Sequence, residues 1–164
     1  MEQHNKKVFL TGASGGIGMS IAAKFKKNNF KLVITSSSEE KLIELRNHFG
    51  EDNFFYKIDL SNQNELEKNM SVISNEHKDI SVIVNNAGIT QDNLIFRMKF
   101  EQWSKVLKTN LDSNYLIIKS LLPNMLSKRY GKIIGISSVV ASSGNPGQAN
   151  YVASKAGMIG LYKS

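Results

Sequence analysis

The sequence predicts a single α/β domain built on a doubly wound, mostly parallel sheet. Three observations predict it. Short apolar runs alternate with amphipathic stretches along the chain, a glycine-rich turn joins the first run to the first helical stretch, and polar residues suited to chemistry cluster just after the runs end. Parallel strands need crossover helices, which cover both sheet faces, so such strands read as continuous apolar runs rather than alternating ones.

The first element is the run Lys7–Thr11 (KVFLT), a short buried strand. The turn Gly12–Gly18 (GASGGIG) follows, containing Gly12, Ala13, Ser14, Gly15, Gly16, Ile17 and Gly18. Ile17, Ile21, Ala22 and Phe25 then recur at helical spacing, giving a helix with its apolar face towards the sheet. Glycines let a backbone turn sharply and approach a diphosphate, which rests on the positive end of the following helix. The spacing is G-x-x-x-G-x-G, and a tight turn that binds nothing is the alternative reading.

The second strand is Lys31–Thr35 (KLVIT), ending in Ser36, Ser37 and Ser38. NAD sites commonly place a carboxylate here for the ribose 2′-hydroxyl, and that carboxylate would repel a 2′-phosphate. The three serines supply hydroxyl donors instead, so NADP(H) is the expected cofactor. Ser37 with Glu40 also forms a capping box for the next helix. A third strand, Asn53–Ile58, leads to Asp59 and Leu60, and Asn62 with Glu65 marks a helix start whose apolar face is Leu66, Met70 and Ile73.

The fourth strand, Ile80–Val84 (ISVIV), runs into Asn85, Asn86, Ala87 and Gly88. A long helical stretch from about Phe100 to Lys128 follows, and Pro123 is expected to kink it. Asn110 lies inside that stretch, where an amide is a mediocre helix former and can open the helix around water. Lys132–Ile136 (KIIGI) is a fifth strand. The segment Ile133–Gly157 then holds Ser137 and Ser138, a loop broken by Gly144, Pro146 and Gly147, and finally Tyr151 and Lys155. A helix beginning near Tyr151 sets those last two on one face. A cation held beside a phenol favours its ionised form, and a tyrosine so placed can act as a general acid or base.

Composition narrows the class. The chain has 164 residues, 41% hydrophobic and 21% charged, with 21 basic against 14 acidic side chains for a net charge of +7. The lysines are dispersed and match no nucleic-acid motif, so no nucleic-acid partner is expected. No cysteine is present and His4, His48 and His77 are scattered, so no metal site is expected. No apolar run reaches membrane-spanning length, and the opening MEQHNKK does not read as a secretory leader, so a cytoplasmic protein without membrane attachment is expected.

With these residues in view, the chain resembles the short-chain dehydrogenase/reductase family, through Thr11-Gly12-x-x-x-Gly16-Ile17-Gly18, Asn85-Asn86-Ala87-Gly88, Asn110, Ser138, Tyr151 and Lys155. Within it the likeness is greatest to the 3-oxoacyl-[acyl-carrier-protein] reductases of bacterial fatty acid synthesis, through Asn85–Met98 (NNAGITQDNLIFRM) and Gly144–Gly157 (GNPGQANYVASKAG). The resemblance implies a Rossmann-type fold and NADPH-dependent reduction of an acyl-carrier-protein-linked 3-oxoacyl group. It implies that Gly12, Gly16 and Gly18 shape the phosphate turn, that Asp59 and Leu60 line the adenine, and that Asn86, Ala87 and Gly88 support the cofactor. Ser138 would bind the substrate carbonyl and Tyr151 supply the proton. Lys155 would bind the nicotinamide ribose, and Asn110 would hold water in a proton relay behind it. Arg129 would meet the acidic carrier protein, with a solvated helix end as its alternative reading.

Two departures from the family pattern stand out. Many NADP-dependent relatives carry Arg where this chain has Gly15. Relatives also continue past the position of Ser164 with further strands, so residues 1–164 are expected to form an NADP-binding domain incomplete at its C-terminus, and the family's homotetramer is in doubt for this chain. A dehydrogenase acting on another alcohol or ketone, and a nucleotide-binding chain without turnover, remain the alternatives.

Overall fold

The computed structural model of the chain describes residues 6–164. The leader reading of the first seven residues falls largely on residues 1–5, outside the described residues, as does His4. Five parallel strands, β1 (Lys7–Thr11), β2 (Lys31–Ser36), β3 (Phe54–Lys57), β4 (Ile80–Asn85) and β5 (Lys132–Gly135), form one sheet in the order β3-β2-β1-β4-β5. The order reverses at β1, whose C-terminal end therefore opens a crevice between crossovers leaving in opposite directions.

Alternate residues of each run serve opposite faces. Phe9, Val33 and Ile83 pack against α3 (Gln63–Glu76) and α5 (Ser113–Ser127) through Leu66, Met70, Ile73, Ile117 and Leu121. Val8, Leu10, Leu32, Ile34 and Val84 pack against α1 (Gly16–Lys27) and α2 (Glu39–Phe49) through Ala22, Leu45 and Phe49. Both faces of β1 are thus sealed, which explains its unbroken apolar sequence. β5 is an edge strand, and Ile134 on it stays 41% exposed.

Three readings of the sequence need correction. Ile17 does not face the sheet: it is 63% exposed, and Gly18 and Ala22 form the buried stripe of α1. Ser38, rather than Ser37, caps α2, its hydroxyl accepting from the Lys41 N–H at 3.3 Å. The reason is one residue of extra strand: β2 runs to Ser36, which moves the first helical residue to Glu39.

The third correction concerns the long helical stretch. It divides at a π-helical turn, Lys108–Asp112, between α4 (Phe100–Leu107) and α5, and α5 continues through Pro123. Side chains take up the backbone groups in the widened turn: Ser113 Oγ donates to the Thr109 carbonyl at 2.6 Å, and Asn114 Nδ2 to the Asn110 carbonyl at 2.6 Å. Arg129 follows α5 at a positive φ of 51° and sits beside the starts of the strands. Its neighbour Tyr130 lies under the Lys6 ammonium, 5.6 Å away, just before β1. β5 separates Arg129 from Ser138 by ~13 Å of strand.

The last helices are α6 (Val140–Ser143) and α7 (Ala149–Lys163). α7 is pinned to the sheet by Tyr162, whose hydroxyl donates to Asn114 Oδ1 at 2.8 Å and accepts from Asn85 Nδ2 at 2.7 Å. Burial pushes that phenol up to about 12. The absence of a side chain at Gly135 makes room for the ring, since a Cβ there would lie 2.6 Å from it. Among the described residues, no helix is long and apolar enough to cross a membrane.

Candidate active site

A cleft of about 630 Å³ opens at the C-terminal ends of β1, β2, β3 and β4. Its walls hold Gly12, Ser14, Gly15, Gly16, Ile17 and Gly18 of the glycine turn, Ser36 and Ser37 after β2, Asp59 and Leu60 after β3, and Asn86, Ala87 and Gly88 after β4. Of the residues expected to hold the cofactor, Ala13, Tyr151 and Lys155 are off the wall: the Ala13 side chain is fully buried under the turn with the core facing α1, and the other two stand on α7.

The turn is built around two glycines. Gly12 has a φ of 69°, and a Cβ on it would lie 2.8 Å from the Ala87 Cα. A Cβ on Gly18 would lie 2.1 Å from the Gly12 carbonyl oxygen. Both positions accept hydrogen only, and the turn closes directly onto the segment after β4. Thr11 completes the joint: its buried hydroxyl accepts the N–H groups of Asn86 and Ala87 at 3.1 and 3.0 Å. Asn86 Nδ2 in return donates to the carbonyls of Thr11 and Gly12, at 3.2 and 2.9 Å. Asn86 therefore holds the turn's shape.

Gly15 and Gly16 differ from this pair. A Cβ on Gly15 would meet nothing nearer than 3.7 Å and one on Gly16 nothing within 4 Å. The first turn of α1 has no side-chain cap and no acidic residue, so its N–H groups face the cleft with the positive end of the helix. A buried hydroxyl, Thr109 Oγ1, borders the same cleft without a partner among the described residues. A narrow turn, free helical N–H groups and a spare buried hydroxyl fit a nucleotide diphosphate.

Lys155 lies beside Gly88, at the end of the cleft that follows β4. It is 3% exposed, its ammonium donates to the Ile136 carbonyl at 2.7 Å, and a Cβ on Gly88 would approach that ammonium to 3.3 Å. Burial moves the Lys155 ammonium below its ordinary value. The same ammonium lies 5.7 Å from the Tyr151 ring centre. Ser137 donates its hydroxyl to the Lys155 carbonyl at 3.1 Å, tying the end of β5 to α7. Ser138 is half-buried, and its hydroxyl makes only a 3.4 Å contact from the Val140 N–H. The adjacent serines thus divide: Ser137 clasps, and Ser138 is available.

Asn110 is fully buried and connects three segments. Its Oδ1 accepts from the Ile89 N–H at 2.8 Å, while Nδ2 donates to the Ile89 carbonyl at 2.9 Å and to Ser154 Oγ at 3.1 Å. The amide is satisfied by protein groups, so its side chain positions the loop after β4 against α7. Asn150, not singled out from sequence, works similarly: it is fully buried, donates to the carbonyls of Gln91 and Gln102, and accepts the Tyr151 N–H at 2.8 Å. Lys41 and Lys105 also border the cleft and escaped the sequence reading, because isolated lysines on amphipathic helices look like solvated surface.

Comparison with known proteins agrees with this geometry. Residues 6–164 match the short chain dehydrogenase family. The chain is 40% identical over its whole length to the 3-oxoacyl-[acyl-carrier-protein] reductase FabG of Vibrio cholerae, of which it covers 67%. It is 46% identical over 97% of its length to that of Rickettsia typhi, covering 64% of that protein. The chain thus spans about two thirds of the length of the curated relatives it matches. A crystal structure of a short-chain dehydrogenase from Streptomyces avermitilis superposes with a TM-score of 0.90 at 23% identity, over 99% of this chain and 60% of that one. The family match takes in the whole described chain: the chain belongs to the short-chain dehydrogenase family.

Proposed function

We propose that the protein is a cytoplasmic NADPH-dependent reductase that converts a 3-oxoacyl group, carried on acyl carrier protein, to the 3-hydroxyacyl product in fatty acid biosynthesis. One observation carries the reading: on α7 the Lys155 ammonium lies 5.7 Å from the Tyr151 ring centre and close to Gly88, which borders the cleft, and Ser138 follows directly on Ser137, whose hydroxyl bonds the Lys155 carbonyl. The relatives' names supply the substrate class.

The glycine turn and the N-terminus of α1 would hold the diphosphate, with Asp59 and Leu60 beside the adenine and Ser37 at the adenosine ribose. Bound there, the nicotinamide supplies hydride to the substrate's carbonyl carbon. The Ser138 hydroxyl donates to the carbonyl oxygen and steadies its growing negative charge. The Tyr151 hydroxyl delivers the proton to that oxygen, so that one hydride and one proton complete the alcohol. Lys155 keeps a cation beside the phenol and, through the Ile136 carbonyl, fixes α7 to the end of β5. Asn110 acts at one remove, holding the loop that carries Gly88 against α7.

The test is substrate-dependent oxidation of NADPH by the purified protein, with an acetoacetyl thioester of acyl carrier protein. Tyr151→Phe is expected to reduce turnover about 10²- to 10⁴-fold while leaving NADPH affinity nearly unchanged. Equal turnover in the variant, or NADPH binding with no thioester-dependent oxidation, would overturn the proposal.

A further inference from the structure

We infer that Lys41 and Lys105 are the phosphate-gripping cations of the cleft, with Lys41 selecting the adenosine 2′-phosphate and Lys105 holding the diphosphate. The inference rests on the dinucleotide reading above. The strand order places the two lysines on opposite sides of the glycine turn, which follows the central strand β1. Lys41 borders the cleft from the β2 side, beside Ser36 and Ser37, and Lys105 borders it from the β4 side on α4, with Thr109.

Their place on the cleft wall separates these two from the other lysines among the described residues, and their side chains are free to meet a ligand. Neither forms an ion pair or a side-chain hydrogen bond among the described residues, whereas Lys7, Lys26 and Lys31 pair with carboxylates and Lys155 is bonded to a carbonyl. Among the described residues Asp59 is the one carboxylate bordering the cleft, so their lining carries excess positive charge. Lys41 also occupies the first turn of α2, where a helix disfavours cations; its backbone N–H is fixed by the Ser38 cap. Lys105 and Thr109 are four residues apart on one helical face, and the Thr109 hydroxyl is buried without a partner. A cation and a spare hydroxyl together suit a phosphate oxygen.

The assignment to particular phosphates follows from direction. The tyrosine and lysine of α7 lie on the Gly88 side, so the nicotinamide half extends towards β4 and β5 and the adenosine half towards β2 and β3. The adenosine ribose then lies at the end of β2, within the province of Ser37 and Lys41. Only NADP(H) has a phosphate there. In a turn that carries Gly15 and no arginine, Lys41 supplies the cation from α2 instead.

The experiment is titration of the intact protein with NADPH and with NADH, by calorimetry or cofactor fluorescence. Wild type is expected to prefer NADPH. Lys41→Gln should weaken NADPH binding about tenfold or more and leave NADH binding unchanged, while Lys41→Arg keeps the preference. Lys105→Gln should weaken both cofactors by a similar factor. A wild type that prefers NADPH, with Lys41→Gln keeping that preference, overturns the role of Lys41. Unchanged binding of both cofactors in Lys105→Gln overturns the role of Lys105. Equal affinity of wild type for the two cofactors overturns the NADPH reading itself. Unchanged melting temperatures confirm that the variants are folded.

Discussion

Replacing Gly18 with alanine tests the construction of the glycine turn. The added methyl would lie 2.1 Å from the Gly12 carbonyl oxygen, 2.8 Å from the Ala13 Cα and 2.8 Å from Asn86 Nδ2. The first of these is nearly an ångström inside the closest approach such atoms make; two of the three groups belong to the turn's own backbone and the third to its tether. Relief requires α1 to back away from β1. Overfilling a close-packed site costs about 1–3 kcal/mol, occasionally more. Withdrawal of the Gly12 carbonyl also strains its 2.9 Å bond from Asn86, worth about 1 kcal/mol net. Alanine returns up to about 1 kcal/mol through helix propensity. The net expectation is a loss of about 2–3 kcal/mol, or about 4–12 °C in Tm for a domain of this size. Thermal unfolding followed by circular dichroism measures it, and NADPH titration should show weaker binding in parallel. Gly16→Ala is the control, because nothing lies within 4 Å of its Cβ. A Gly18→Ala protein melting within about 2 °C of wild type would refute the packing argument.

Gly15→Arg is expected to fold normally, since its Cβ has open space and Gly15 has an ordinary φ of −85°, and to bind NADPH several-fold more tightly with little change for NADH; loss of folding or an equal gain for both cofactors would contradict this. His77 predicts a pH dependence of stability. It is buried between Lys7, whose ammonium lies 3.2 Å from Nδ1, and the Tyr56 hydroxyl, 2.7 Å from Nε2, with Glu76 and Asp79 nearby. Burial, and secondarily the Lys7 charge, hold its pKa below 6.5, outweighing the two carboxylates. The unfolded chain therefore binds the proton more readily, so this contribution to stability is present above pH 6.5 and is lost as pH falls through that value. Urea midpoints at pH 7.5 and 5.5 should fall more for wild type than for His77→Gln, and equal falls would remove His77 as the cause.

Local pattern made much of the fold legible. Continuous apolar runs located all five strands to within about two residues at either end, because a parallel sheet covered on both faces needs no polar alternation. Asn62 followed by Glu65 marked the start of α3, and the structure has Asn62 Oδ1 accepting the Glu65 N–H at 3.2 Å. The glycine turn, the serines after β2, Asp59 and Asn86 were legible as a group because crossover topology sends every strand's end to one edge of the sheet.

What the sequence could not decide depended on contacts distant along the chain. Ser137 and Ser138 are chemically identical, and only the packing of α7 on β5 makes one a clasp and leaves the other free. Pro123 was the obvious helix breaker, yet the helical register changes at Asn110, whose amide is drawn off the helix by the backbone of Ile89 and the hydroxyl of Ser154. Arg129 is near Ser138 in sequence and an entire strand away in space, because a parallel strand carries the chain from one edge of the sheet to the other. Lys41 and Lys105 are 64 positions apart, and nothing local relates them; strand order alone sets them on either side of one cleft. Periodicity records which face a residue buries, whereas the partner it meets beyond a strand's end is fixed only when the strands take their order.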